Sequence, residues 1–361
     1  MCEIKKIKLA LTSSCTLGCN HCRIEKNKYI NLDFEKAKSG VDILLDSVGK
    51  YKRLEIYGGE PFLKFDLMKK ILSYAKKKAN IKNKKLSVSV ATNATLLDNE
   101  KISWIRNNHV NVSVSFSGSE GSHNYNRIYS NGRGSFSLVS KKIDFLVKNI
   151  NSDYLVCLYC VDGGFAGSIK KDFLKIIRKG FRIINIECVS GRGWDEKNYE
   201  EFKEGINFVL NTIYEEMEKG NFIFLEPFIE MLQDRKSWDY TCPKYRDLEM
   251  YPDGNLGFYP FAFVKYSKVS KKISIGNWLS GLMKKYDKCF PGCEKCFDCI
   301  KDYYVLPGLS DGSFAYEIRS RLMKKFFYKI LKNKKEENIS AYLEKLKVIF
   351  NRTYERTDKH F

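Results

Sequence analysis

Long apolar runs are missing from this sequence. None approaches the ~18–20 residues of a transmembrane helix, which excludes an integral membrane protein, and we expect no membrane partner. The apolar stretch at the start of the chain is too short for a signal peptide, so we expect a cytoplasmic protein. Internal repeats and low-complexity linkers are also missing. With 43% hydrophobic and 29% charged residues, the chain is not largely disordered and is long enough for about two or three domains.

Acidic residues are few relative to basic ones. The chain has 43 Asp and Glu against 63 Lys and Arg, which gives a formal net charge of +20. Such a charge favours anionic partners, among them acidic peptides, nucleic acid and membrane surfaces. The lysines are dispersed in short groups, however, and this also fits an ordinary solvated surface. Charge alone therefore identifies no partner.

Cysteines, by contrast, are numerous, with twelve in the chain. In a reducing compartment a disulfide framework is not expected, which leaves metal binding, catalysis or buried thiols. Seven of them form two clusters, as metal-ligand sets do: Cys15, Cys19 and Cys22, then Cys289, Cys293, Cys296 and Cys299. Cys157 and Cys160 lie in one predicted strand, where they would point to opposite faces, and we expect both to be buried thiols. Because Cys160 and Cys188 lie near strand ends, a substrate-facing role for either stays open.

Strands and helices alternate through the first two thirds of the chain. Predicted strands cover residues 4–11, 53–57, 86–91, 110–116, 153–161 and 181–189. Predicted helices cover residues 34–48, 64–78, 98–107, 136–149, 168–179 and 195–218, with Asp98 and Ser135 as N-caps. Six such units predict a parallel sheet flanked by helices, wound either as an open sheet or as an incomplete barrel. In both cases the chemistry belongs at the carboxyl ends of the strands.

The residue pattern of the sequence changes after about residue 225. Residues 242–305 are rich in turns and contain five cysteines, which predicts a small core held by metal. Residues 313–361 return to a lysine-rich helical pattern. We expect three regions, which are residues 1–225, 226–305 and 306–361.

Three thiols within eight residues, Cys15-x3-Cys19-x2-Cys22, indicate a metal centre. A zinc site requires a fourth protein ligand, and the nearest candidate, His21, is next to Cys22, where binding of one ion by both is sterically awkward. Three thiolates without a fourth ligand suit a cubane iron–sulfur cluster with one open iron.

This cysteine pattern after the first strand resembles that of the radical S-adenosylmethionine (radical SAM) superfamily. The second predicted strand ends in a stretch similar to the family's GGEP motif, namely Gly58, Gly59, Glu60 and Pro61. The resemblance implies that the open iron binds the amino and carboxylate groups of SAM, and that the Glu60 loop holds the amino group. Two glycines would let the backbone approach the ligand closely, and a glutamate can neutralise an ammonium. The chemistry implied is reductive cleavage of SAM to a 5′-deoxyadenosyl radical, which abstracts hydrogen from a substrate.

Further positions match the same family. The resemblance places His21 near adenine, Ser115 at the ribose and Arg127 at the SAM carboxylate, while Asn93 lies in a turn similar to the family's T-N-G. The sequence departs from the family pattern at three neighbouring positions, Ala94, Ser117 and Asn124. With this resemblance we expect an α/β fold, specifically a partial (β/α)6 TIM-like barrel with a small cysteine-rich C-terminal domain and a helical tail.

The late cysteines resemble the SPASM and twitch extensions that bind auxiliary clusters in peptide-modifying members of the family. Tyr259 stands where the two-cluster pattern has its second cysteine. We therefore expect one auxiliary [4Fe–4S] cluster, with ligands among Cys242, Cys289, Cys293, Cys296 and Cys299. Zinc bound by four of these thiolates is the alternative.

The resemblance implies a radical SAM oxidoreductase, and the most favoured substrate is a ribosomally synthesised peptide or protein, possibly acidic. The first predicted strand begins near Ile4, so we expect no leader-binding domain before it. An electron donor such as flavodoxin or ferredoxin is implied, and nucleic acid is not expected as a partner. One alternative is a twitch-type enzyme that acts on a small metabolite, and a remote one is a zinc-stabilised nucleic-acid-binding protein. The sequence identifies no catalytic acid or base.

Overall fold

The computed structural model describes residues 4–22, 24, 30–189, 192–232, 247–258, 276–282 and 311–354. The strands of these ranges are β1 (Lys6–Ala10), β2 (Tyr51–Tyr57), β3 (Lys85–Thr92), β4 (Asn111–Ser115), β5 (Leu155–Val161), β6 (Ile183–Cys188), β7 (Phe224–Leu225), β8 (Asp247–Met250), β9 (Asn255–Phe258), β10 (Gly276–Asn277) and β11 (Gly281–Leu282). The helices are α1 (Phe34–Asp46), α2 (Phe65–Ile81), α3 (Asn99–Asn107), α4 (Glu120–Asn126), α5 (Phe136–Asn149), α6 (Ile169–Arg178), α7 (Glu196–Glu218), α8 (Glu226–Met231), α9 (Asp311–Lys332) and α10 (Glu337–Tyr354). Short 3-10 helices cover Pro61–Lys64, Ser152–Tyr154 and Gly163–Ser168.

Strands β1 to β7 add to the sheet one after another, all parallel, and β8 pairs in parallel with the other side of β1. A doubly wound sheet reverses its strand order, whereas this order proceeds in one direction, as in a TIM barrel. Among the described strands β7 pairs with β6 alone, so the barrel does not close. The predicted parallel sheet and incomplete barrel are therefore confirmed. Strands β9 to β11 extend the sheet beyond β8 in antiparallel pairs.

The two faces of the sheet differ in chemistry. Side chains that face the helices, such as Leu54 and Ile56 of β2, are apolar and buried. The alternate positions of the same strands hold a buried charged network, in which Arg53 binds Glu55 at 2.8 Å. Burial would raise the pKa of Glu55, but the neighbouring Lys6, Arg53 and Lys8 lower it to about 2. Because buried charges are costly unless they are paired, this network fixes the register of the inner strands.

Helix starts follow the sequence closely, with one exception. Asp98 accepts a hydrogen bond from the Lys101 amide at 2.9 Å and caps α3, as predicted. Ser135 precedes α5 as predicted, but the prediction that it caps this helix is wrong. Its hydroxyl instead donates to the Arg127 carbonyl at 2.7 Å, so this serine anchors the loop before it.

The C-terminal part of the chain packs on the barrel. Helix α9 contacts α7 and β6, and α10 contacts α7, α8 and the strands β2 and β3. Lys345 of α10 binds Asp153, just before β5, at 2.7 Å. The helical pattern after residue 313 is thus observed, while the three regional boundaries stay a prediction. Within the described residues, no helix combines the length and the apolar character required to cross a membrane.

Several elements were not predicted, namely α4, β7, α8 and the strands β8 to β11. Helix α4 lies between β4 and α5, where the sequence analysis placed a loop, and β8 joins the barrel sheet although it belongs to the turn-rich region. The five late cysteines and Tyr259 lie outside the described residues, so the auxiliary cluster is untested by the structure.

Candidate functional site

The loop Cys15–Cys22, called the cysteine loop below, follows β1 at the carboxyl edge of the parallel strands. Its three thiols are half-buried. Burial raises the pKa of the Cys15 thiol to about 11, and the charges of Glu60 and of the other two thiols add to this rise. Since the thiols affect one another's ionisation, they lie in one neighbourhood.

The spacing of these thiols favours a cluster over a single ion. Within the described residues, no group of three His, Cys, Asp or Glu side chains stands close enough to hold one metal ion. A cubane does not require this, since each thiolate binds its own iron. Metal binding would also keep the thiols ionised despite their burial. The residues present therefore fit a [4Fe–4S] cluster with one iron left open.

The cysteine loop is hydrogen-bonded to the last residues of α4 and to Ile128 just after it. The Gly18 amide donates to the Ile128 carbonyl at 2.6 Å, and the Asn20 amide donates to the Asn126 carbonyl at 2.8 Å. The Asn20 side chain adds a bond to the Tyr125 carbonyl at 2.5 Å. The loop and this segment are consequently held as one unit.

Gly58 and Gly59 bring the end of β2 against residues 12–14, which directly precede the cysteine loop. The Gly59 amide donates to the Thr12 carbonyl at 2.7 Å, and Gly58 has a φ of +145°. A Cβ on Gly59 would lie 2.1 Å from the Ser14 carbonyl oxygen, which no side chain can tolerate. The close approach that these glycines permit is therefore to residues 12–14, which lead from β1 into the cysteine loop, and the sequence did not reveal this reason for them.

Glu60 is completely buried and is bound by three donors. Its carboxylate accepts hydrogen bonds from the Thr92 hydroxyl at 2.8 Å, the Asn93 amide at 2.8 Å and the Phe62 amide at 3.2 Å. Burial raises the pKa of Glu60 to about 7, although these hydrogen bonds lower it. Pro61 follows as the first residue of a 3-10 helix. The carboxylate thus ties the ends of β2 and β3 together beside the cysteine loop.

Asn93 contacts a proposed cluster ligand. Its side-chain amide donates to the Cys15 sulfur at 3.4 Å and to the Thr16 hydroxyl at 3.0 Å. Hydrogen bonds to ligand sulfurs are one means by which proteins tune cluster potentials. Ala94, where the family has glycine, adopts a left-handed φ of +67°. The turn thus keeps the glycine conformation despite the substitution.

Arg127 is buried at the same edge, with 4% of its surface exposed. Its Nε donates to the Ser117 hydroxyl at 3.3 Å, and its Nη2 donates to the Cys160 sulfur at 3.3 Å. Ser117 stands where the family pattern has aspartate, and a hydroxyl there supports the guanidinium without neutralising it. Cys160 therefore faces the site, whereas Cys157 is buried against the Phe116 carbonyl on the opposite face, as the strand geometry predicted.

His123 and His21 lie together beside Arg127. Burial, Arg127 and His21 lower the pKa of His123 to about 3, so this imidazole is neutral. Its Nε2 contacts the Ser135 hydroxyl at 3.0 Å, and the Ser117 amide donates to its Nδ1 at 3.4 Å. Ser115, the last residue of β4, is half-buried next to this group. All eight predicted cofactor-binding residues and the first three cysteines thus lie at one edge of the barrel.

The comparison with protein families agrees with this geometry. Residues 9–164 match the family model described as the radical SAM superfamily. Residues 9–164 therefore form a radical SAM domain. Enzymes of this superfamily use a [4Fe–4S] cluster and SAM.

Similar proteins include two curated relatives and a solved structure. An uncharacterized protein of Methanocaldococcus jannaschii, MJ0907, is 27% identical over 56% of this chain and 71% of its own length. A cysteine-type anaerobic sulfatase-maturating enzyme of Clostridium perfringens is 24% identical over 62% of this chain and 63% of its own length. The chain thus spans less than two thirds of that enzyme.

The solved structure of anSMEcpe with bound AdoMet superposes with a TM-score of 0.72 at 20% identity, covering 94% of this chain and 98% of that one. The same protein has been solved with AdoMet and a peptide named Kp18Cys. At this identity the likeness establishes the shared fold.

Proposed function

We propose that this enzyme abstracts hydrogen from a peptide or protein substrate and thereby modifies one of its residues. The observation that supports this most is the likeness of nearly the whole chain to a radical SAM structure solved with AdoMet and a peptide. The sequence similarity to a sulfatase-maturating enzyme points to the same substrate class.

In this proposal each group at the barrel edge has a defined task. The thiolates of Cys15, Cys19 and Cys22 hold the cluster, which when bound supplies the electron for cleaving SAM to methionine and a 5′-deoxyadenosyl radical. Arg127 binds the SAM carboxylate, and the Glu60 loop holds the amino group next to it. The family resemblance assigns His21 to adenine and Ser115 to the ribose. Asn93 donates a hydrogen bond to the Cys15 sulfur.

Burial supports the electrostatic part of this assignment. Arg127 contacts a hydroxyl, a thiol and, at 3.5 Å, a carbonyl in the described structure, and none of these three groups carries a negative charge. A buried guanidinium without a carboxylate among these contacts is suited to the carboxylate of a ligand.

The partners proposed are a peptide or protein and a one-electron donor such as flavodoxin or ferredoxin. The net charge of +20 favours acidic molecules in both roles. The late cysteines, with Cys242, are proposed to hold one auxiliary [4Fe–4S] cluster.

Isotope transfer separates a peptide substrate from a small metabolite. Extract of the producing cells, grown in deuterated medium, is divided by size into peptide and metabolite fractions. Each fraction is then incubated anaerobically with reconstituted enzyme, SAM and dithionite. Deuterium in 5′-deoxyadenosine with the peptide fraction, absent with Cys19→Ala, is the expected result. Transfer from the metabolite fraction alone would contradict the peptide proposal and favour the twitch-type alternative.

A further inference from the structure

One buried acid at the candidate site belongs to no motif. Asp162 directly follows β5 and is 1% exposed. Its Oδ2 accepts a hydrogen bond from the Asn126 side-chain amide at 2.8 Å and lies 3.7 Å from the Arg192 Nε. Its Oδ1 is buried without a hydrogen-bond partner among the described residues. A carboxylate is costly to bury, so its retention here requires a reason.

Helix capping does not provide that reason. Asp162 precedes the 3-10 helix Gly163–Ser168, yet its side chain makes no capping hydrogen bond to the described residues. Its position is nevertheless fixed, because the Gly163 amide donates to the Arg192 carbonyl at 3.2 Å. A Cβ on Gly163 would lie 2.1 Å from the Gly193 carbonyl oxygen, so the loops after β5 and β6 are in direct contact.

Asn126 connects this acid to the cysteine loop. Its side chain lies between Asp162 and Arg192, whose Nη2 donates to the Asn126 Oδ1 at 3.4 Å. Its backbone carbonyl accepts from the Asn20 amide, and the next residue is Arg127. Asn126 therefore binds the end of β5 through its side chain and the cysteine loop through its backbone carbonyl, and it directly precedes the arginine proposed to bind SAM.

We propose that Asp162 is a positioning residue for the SAM site, which acts through Asn126. The carboxylate fixes the Asn126 side chain, and this orders the segment 125–128 against which the cysteine loop lies. Arg192 balances the charge of the acid from the β6 side. The proposal rests on the role assigned to Arg127 in binding SAM.

Exchange of the two side chains provides a specific test. Asp162→Asn removes the negative charge that faces Arg192. Asn126→Asp places two carboxylates against each other. Each single variant should weaken SAM binding about tenfold. The double variant again has one carboxylate and one amide beside the unchanged Arg192. It should therefore bind SAM within about threefold of wild type. SAM affinity is measured by equilibrium dialysis on reconstituted enzyme with equal iron content.

Asp153→Asn is the matched control, since Asp153 lies at the opposite end of β5 and pairs with Lys345 and Arg352. It should lower the melting temperature while leaving SAM affinity unchanged.

A second measurement needs no cluster. In the metal-free protein, hydrogen exchange at the Gly18 and Asn20 amides should accelerate in Asp162→Asn, but not in the Asp153→Asn control. Unchanged SAM affinity together with unchanged hydrogen exchange in Asp162→Asn would overturn the inference. A double variant that binds SAM no more tightly than the single variants would also overturn it. If Arg127→Met also bound SAM normally, the role of Arg127 would be wrong, whereas faster exchange in Asp162→Asn would still support positioning.

Discussion

Removal of the Arg127 guanidinium tests the proposed SAM contact directly. The substitution Arg127→Met keeps an unbranched apolar stem in the buried position and deletes the charge. The lost contact to the SAM carboxylate is a charge-assisted hydrogen bond between buried groups. Such a bond contributes about 1.5–3 kcal/mol, so we expect SAM affinity to fall roughly 10- to 150-fold.

The assay must separate this effect from damage to the fold. SAM binding is measured on anaerobically reconstituted enzyme, and iron content and thermal unfolding are measured on the same preparation. Arg352→Met is a matched control, because Arg352 is also largely buried and pairs with Asp153 at the opposite end of the barrel. This control should lose stability and bind SAM as wild type does. SAM affinity within twofold of wild type in Arg127→Met, at full iron content, would refute the assignment.

Three further predictions address the cysteine loop, the barrel interior and the auxiliary region. Gly59→Ala forces a Cβ against the Ser14 carbonyl, so the variant should lose about 1–3 kcal/mol of stability and retain less iron. The control is Gly121→Ala, which has open space around it and should change stability by less than about 1 kcal/mol. The second prediction concerns Glu55, whose pKa is lowered to about 2. Its contribution to the free energy of unfolding is therefore complete above its ordinary pKa of 4.5 and is lost as the pH falls towards 2. In urea unfolding at pH 7, Glu55→Gln should lose about 3 kcal/mol, and equal stabilities of variant and wild type would contradict the network. Iron analysis should give about eight atoms per chain and half of that after removal of the three thiols of the cysteine loop, while about four with stoichiometric zinc would exclude an auxiliary cubane.

Much of the barrel was predictable because its strands and helices have clear periodicity. The alternation of apolar and polar residues predicted β4, and the apolar run 153–161 predicted β5, each to within two residues at both ends. Strand β8 was not predictable, since it is four residues long and its partner β1 lies about 240 residues away in the sequence. Helix α4 is short and polar, and it buries Ser122, His123 and Asn126 instead of an apolar face, so its sequence carries no helical periodicity of apolar residues.

The residues of the candidate site were also predictable only in part. The cysteine triad and Gly58–Pro61 were recognisable because their spacing is contiguous in sequence. Cys160, Asp162 and Asn126 belong to no contiguous motif and meet only when β5 pairs beside β4. The position of Cys160 near the end of a predicted strand was the available signal, and it could not identify Arg127 as the contact.

The most direct test of the central claim is the release of 5′-deoxyadenosine. Reconstituted wild-type enzyme with SAM and dithionite, kept free of oxygen, should form 5′-deoxyadenosine and methionine in equal amounts. The variant in which Cys15, Cys19 and Cys22 are all alanine should form neither product, while its melting temperature shows that the barrel remains folded. Product release that persists without these three thiols would contradict the account.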